Sequence, residues 1–338
     1  MLSFFRRSLS GRIALYASLC ATASIALVCA AIASRAGQRA EDDALTLART
    51  TAERAAGTVQ NELHATYTVA QALSRSLSAQ KEANLPITRA QLDATLKATV
   101  EQWPGWLGFY SVWEPNALDG RDAEFANAGP GTNATGRFLS WWNRLEGQVT
   151  VSAVEFVAQA GANDWYDVAC KTRQATWMDV APFDIKGKTI LASTLSLPIV
   201  AKGRCLGIVA VDLELGALQQ QLQAIELPMP GARIALISQR GVYVSDPRQE
   251  RLGKPADDQP KAMLASIAAG KPDQWTDSSD WIHLYTPVTM APGLPAWSIE
   301  LRLPLAETHR ASQALVRWAT LVGVVCVLLT SALMWLLV

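Results

Sequence analysis

The chain has almost none of the motifs that mark catalytic chemistry. Histidine occurs only three times in 338 residues, at His64, His283 and His309, with no metal-ligand spacing. The HExxH, GxSxG and CxxC patterns are all missing, which removes the common zinc-hydrolase, serine-hydrolase and dithiol signatures. Gly187-Lys188-Thr189 looks like the end of a phosphate loop, but Pro182 stands where that loop needs a glycine, so it reads as a turn. Net charge is also lacking. Thirty basic side chains balance thirty acidic ones, so there is no electrostatic footprint for nucleic acid. The acidic group Glu114, Asp119, Asp122 and Glu124 reads as a solvated loop rather than a cation site. No catalytic residue, cofactor or metal is expected.

Cysteine is scarce, with five in all. Cys20, Cys29 and Cys326 fall in apolar runs, where they behave as small apolar residues. Cys170 and Cys205 lie between those runs and are either free thiols or a disulfide.

Two stretches lack charge altogether: Ile13 to Ser34 and Ala319 to Val338. A bilayer core of about 30 Å takes roughly 20 helical residues, so both are long enough to span it. The first is longer than the usual core of a cleaved signal and is read as an uncleaved anchor. Arg6, Arg7 and Arg12 before it favour a cytoplasmic start, and Arg317, Trp318 and Trp335 suit the two interfaces of the second span. The expected plan is a cytoplasmic segment 1–12, a span at 13–34, an exported middle and a second span at 313–338. In a bacterium this places a multi-pass protein in the inner membrane with its centre in the periplasm. Output then passes either to a longer continuation or to a partner.

After the first span, Leu45, Ala48, Ala52, Ala55, Val59, Leu63, Tyr67, Ala70, Leu73 and Leu77 recur at three- and four-residue steps. That predicts one long helix to about Gln80, within 35–85, whose stripe faces neighbouring modules or pairs with a second copy. A homodimer through 41–80 is expected. Thr88 with Gln91 marks the start of a shorter helix. From Trp106 the pattern turns strand-like, at 107–115, 136–142, 189–201 and 204–213, the last two a hairpin across Lys202-Gly203. A helix from Leu213 to about Ile225 precedes the two prolines of LPMPG, and a second strand set follows. The fold class is α+β: two antiparallel-sheet modules, 86–226 and 227–312, on a long N-terminal helix.

Seven of the twelve tryptophans lie between Trp103 and Trp177, which suits either an aromatic core or a ligand pocket. The segment 41–303 resembles the double Cache sensor domain, a tandem of PAS-like sheets, of bacterial two-span receptors. WYDVA at 165–169, the APFD turn at 181–184, TLSLPIV at 194–200 and GIVAVDLELGAL at 207–218 carry the likeness, and VWEPNALDGRDAEFAN at 112–127 resembles chemotaxis-receptor members. The resemblance implies a ligand site at Trp165, Tyr166, Asp212 and one of Trp141 and Trp142. Amino-acid-binding members carry an arginine two residues before the WY pair; here that residue is Asn163, so the carboxylate clamp is missing unless Arg137 or Arg144 replaces it. Asp212 alternatively caps the helix that follows. The expected protein is a non-enzymatic chemotaxis receptor for a small molecule, an amine foremost. The alternatives are the sensing half of a histidine kinase or diguanylate cyclase, and a module that recognises a loaded binding protein.

Overall fold

A computed structural model of the chain describes residues 9–185, 188–308 and 310–336. It begins with α1 (Leu9–Glu82), 74 residues without a proline and about 110 Å long at 1.5 Å per residue. The expected span at 13–34 and long helix at 35–85 are thus one element; residues 1–8, with Arg6 and Arg7, lie outside the described residues. Near its N-terminus α1 is long and apolar enough to cross a membrane, and Ile13, Tyr16, Leu19, Leu27 and Ile32 there are exposed.

Of the two partners expected for the alanine stripe, the neighbouring modules cover it. Ala48, Ala52, Ala55, Val59, Leu63 and Ala70 are wholly buried against this chain's own sheets, so the stripe is not available to a second copy. Small side chains let the helix lie close to both sheets, and polar contacts fix its position. Ser74 donates to the Pro198 carbonyl at 2.8 Å, and His64 Nδ1 meets the Met290 carbonyl at 3.1 Å.

A short turn leads to α2 (Arg89–Gln102), where the Thr88 hydroxyl accepts from the Gln91 N–H, as the capping pattern predicts. The first sheet contains β1 (Trp106–Trp113), β2 (Leu139–Asn143), β3 (Thr150–Ala153), β4 (Thr176–Trp177), β5 (Ala181–Ile185), β6 (Lys188–Ala201) and β7 (Arg204–Glu214). Its order is β3-β2-β1-β7-β6-β4, with β5 also on β6, and every pairing is antiparallel. The expected strand at 136–142 starts late, at Leu139, because Gly136 turns at φ +73°. APFD, expected as a turn, is strand β5. The Gly187 position lies outside the described residues.

The β6–β7 hairpin turns at Lys202 (φ +51°) and Gly203 (φ +71°), the two-residue turn whose twist matches the strands. A bulge between Ile199 and Val200 then shifts the register. Gly207 lies at that bulge against the Val112 carbonyl, and an added Cβ there would fall 2.8 Å from Trp113 Cα. Helix α3 (Asp164–Thr172) lies over this sheet; α4 (Leu215–Gln223) follows β7 and leads out of it.

The second sheet runs β10-β11-β12-β8-β9, from β8 (Arg233–Ile237), β9 (Tyr243–Ser245), β10 (Asp273–Thr276), β11 (Trp281–Val288) and β12 (Trp297–Pro304). Helix α5 (Lys261–Ala268) covers one face through Ile267 and Leu264. A single apolar core joins both sheets to α1, and Trp177 meets Trp297 edge-on at 6.0 Å where the sheets adjoin. After β12, α6 (Leu305–Thr308) leads to α7 (Arg310–Leu336). The apolar stretch of α7, Val316–Thr330, is shorter than that of α1. The two helices touch: a Cβ on Gly323 would lie 3.2 Å from Cys29 Sγ.

Candidate functional site: an acidic aromatic cavity on the first sheet

Side chains alternate along a strand, so Gly108, Tyr110 and Val112 of β1 face the same side as Trp141 on β2 and Asp212 on β7. That side is the floor of a cavity of about 350 Å³. Thr194 and Ala192 on β6 extend the floor. The walls are the chain from Ser152 to Glu155, Val157, Trp165 on α3 and Phe183 on β5. Tyr110 meets Trp141 at 6.3 Å and Trp165 at 5.8 Å between ring centroids, both edge-on, so three aromatic rings converge on one space.

Asp212 is the acid of this floor. Its Oδ1 accepts from the Thr194 hydroxyl at 2.7 Å and from the Tyr110 hydroxyl at 3.2 Å. Burial pushes its pKa up to about 6, against the opposing pull of Thr194, Tyr110 and Trp141. Burial and the Asp212 charge together push the Tyr110 phenol well above its usual range. The Trp141 indole N–H is buried and faces the Asp212 carboxylate, without a partner at normal hydrogen-bond geometry among the described residues. Glu155 stands exposed at the rim, and no lysine or arginine is among the described lining residues.

The residues expected at the site divide. Trp141, Trp165 and Asp212 come together in the cavity. Trp142, next to Trp141 on the strand, faces the opposite side, where its N–H donates to Asp93 and the Lys97 ammonium sits 5.6 Å from its ring. Asn163 does not reach the cavity: its amide bonds both the N–H and the carbonyl of Val157 and so fixes the wall loop. Tyr166 is buried behind Trp165, with its hydroxyl bonded to Glu114 and receiving Arg137 at 3.1 Å. The two arginines expected as replacements for the missing clamp are engaged elsewhere. Arg137 bonds the Trp113 carbonyl and lies 4.7 Å over Phe156, while Arg144 donates to the Val100 carbonyl at 2.6 Å. Asp212 is not a helix cap, since β7 runs on through Glu214 before α4 begins.

Tyr110, Thr194 and Gly108 were missed by sequence reasoning, although the strand period places 108 and 110 on one face with Asp212. The open question about the cysteines is answered by a Cys170–Cys205 disulfide, Cα atoms 5.4 Å apart, which ties α3 to β7 beneath Trp165. The acidic group, expected as a solvated loop, is instead partly buried and paired: Asp122 and Arg89 are buried, and Glu114 accepts from the Tyr166 hydroxyl. Arg89 pairs with Asp119 at 2.8 Å and with Asp122 at 2.6 Å, and Arg121 pairs with Glu124.

On the second sheet, polar side chains fill the face that α5 covers. Fully buried Glu300 accepts from His283 (2.7 Å), Gln259 (2.9 Å), Tyr285 (3.1 Å) and Arg302 (2.6 Å). Burial is the largest single effect and pushes its pKa up, but the hydrogen bonds and charges of His283 and Arg302 together outweigh it and hold the pKa low.

Residues 111–220 match the family described as methyl-accepting chemotaxis protein-like, first PDC sensor domain. The chain is 24% identical over 247 residues to the methyl-accepting chemotaxis protein TlpQ of Pseudomonas aeruginosa, covering 68% of this chain and 34% of the relative. It therefore spans about a third of the length of that curated relative. Among solved structures it resembles methyl-accepting chemotaxis protein X, at 26% identity and a TM-score of 0.61 over 80% of this chain and 99% of that one. It also resembles the periplasmic sensory domain of the Campylobacter jejuni chemoreceptor Tlp1, with a TM-score of 0.61 at 14% identity over 78% of this chain and 96% of that one. The extracellular domain of mmHK1S-Z3, designated a histidine kinase, shares the fold at a TM-score of 0.63 and 21% identity over 84% and 96%. The long helix and the two antiparallel sheets agree with the match at 111–220: the chain has the fold of these sensor domains, and its first sheet module resembles the first PDC sensor domain of chemotaxis receptors.

Proposed function

We propose that the chain is the sensing part of a chemotaxis receptor of the bacterial inner membrane, and that it binds a small cationic molecule outside the cytoplasm without chemically changing it. The observation that carries the ligand class is the floor of the cavity: buried Asp212, held by Thr194 and Tyr110, lies among the rings of Tyr110, Trp141 and Trp165, with no basic side chain among the described lining residues. An ammonium held there gains a charge-assisted hydrogen bond worth about 1.5–3 kcal/mol and aromatic faces worth about 0.5–2 kcal/mol. A carboxylate gains neither, and Asn163, Arg137 and Arg144 are all committed to backbone or wall contacts. The divisions 86–226 and 227–312, and spans at 13–34 and 313–338 with both ends cytoplasmic, complete this reading. A receptor dimer would use the outward face of α1, where Thr50, Asn61 and Thr68 are exposed and nothing lies within 4 Å of Gly57's open side. The histidine-kinase alternative keeps its place because that class shares the fold.

Thermal-shift and calorimetric titration of the full chain with alkylammonium, quaternary ammonium, amino-acid and organic-acid panels tests the ligand class. Binding by amines that Asp212→Asn abolishes supports it; binding by carboxylates alone, indifferent to that substitution, rejects it.

A further inference from the structure

We infer that Gly108 sets the shape and charge of the cavity floor, because it is the one place in the strand row that leaves a path from the Trp141 indole to Asp212. Asn143, Gly108, Asp212 and Thr194 are neighbours across β2, β1, β7 and β6, all on one face. Trp141 belongs to the next row, opposite Tyr110. Its indole leans back across Gly108: a Cβ there would overlap Nε1 and lie 3.1 Å from both Cδ1 and the Trp142 carbonyl. A glycine inside a central strand weakens the strand, and its usual compensation is a close approach by another group. Here the approaching group is an indole whose N–H is buried and lacks a partner at normal hydrogen-bond geometry among the described residues. It faces the carboxylate and favours its ionised form.

The assignment makes Gly108 a positioning residue. Any side chain at 108 pushes the indole off the strand into the cavity, filling the space above Asp212 and withdrawing the N–H. The proposal rests on the cation reading of the cavity only for its ligand measurement, and a second readout is independent of any ligand.

The test uses the full chain in detergent micelles with 15N-labelled indoles, in wild type, Gly108→Ala, Trp141→Phe and the double variant. In wild type the Trp141 N–H resonance, identified by its loss in Trp141→Phe, should move with pH as Asp212 titrates, and Asp212→Asn should freeze it. In Gly108→Ala that response should vanish, and butylammonium and tetramethylammonium should bind about tenfold more weakly, as in Trp141→Phe. Should Gly108→Ala fail to fold, the double variant, which removes the overlapping indole atoms, should restore folding. An unchanged pH response in folded Gly108→Ala, or a double variant that misfolds as badly, would overturn the inference. If wild type binds neither ammonium while the indole behaves as expected, the cation reading falls and the role of Gly108 stands.

Discussion

Asp212 sits between a low-dielectric floor that penalises its charge and two hydroxyls that support it, and burial prevails, lifting the pKa from 3.8 to about 6. An acid whose pKa rises on folding carries no penalty below the unfolded value and the full penalty above the folded one. Its destabilising effect therefore sets in between about pH 4 and 6 and is complete at pH 7. Asp212→Asn should remove it, stabilising the ligand-free protein at pH 7 by on the order of 2–3 kcal/mol, with little effect at pH 4. Denaturant titrations at the two pH values check this; equal effects at both would contradict it. Cation affinity should rise with pH through about 6, because only the ionised carboxylate attracts the ligand. Asp212 itself was legible in the sequence, from the family strand that carries it. Its partner Thr194 was not. Counting outward from the Lys202-Gly203 turn places Ser193 opposite Asp212, and only the bulge at Ile199/Val200 brings Thr194 there. A bulge is an event of local backbone crowding, here around Gly207, and leaves no periodic trace.

At the scale of elements, α3 contributes one side chain to the cavity, Trp165, and is held from below by Cys170–Cys205. Closing a loop of 35 residues restricts the unfolded chain, so Cys170→Ala/Cys205→Ala should cost about 2–4 kcal/mol. It should also weaken ligand binding, because α3 loses its anchor to β7. Thermal melts with and without reductant, followed by ligand titration, measure both effects. The alanine stripe teaches a separate lesson. Its period identified the helix and its buried face correctly, but an apolar stripe does not say whose surface covers it. The sheets claim it first, through Ala52, Ala55 and Val59, all wholly buried. Cysteine placed at Ala52 should therefore not cross-link two chains, whereas Asn61→Cys and Thr68→Cys on the outward face should do so in membranes. Cross-linking at Ala52 with silence at the other two would reverse this assignment.

Across the whole molecule, the two apolar helices lie side by side. A Cβ built on Gly323 falls 3.8 Å from Cys29 Cβ, the separation typical of a disulfide. Gly323→Cys should then oxidise with native Cys29 inside a single chain, giving a faster-running monomer on a non-reducing gel that disappears in Cys29→Ser. A band unaffected by Cys29→Ser would show the helices to be apart. The two charge-free runs made two apolar helices readable at the outset, because a run of some 20 uncharged residues leaves its mark on composition alone. The packing of one helix on the other was not readable, because it depends on a glycine meeting a cysteine some 300 residues earlier in the chain, which no local pattern reports.

One consequence of α1 lies in its mechanics. It runs 74 residues with no proline and no break, and both sheets grip it, the first through Ser74 and Ser78, the second through Arg49 and His64. A rod without a hinge cannot absorb a displacement at one end; it can only tilt, turn or slide as a whole. Because it passes from the sheets into the apolar stretch without a proline kink, a displacement of β6 reaches the far end along one continuous helix, as tilt, rotation or sliding.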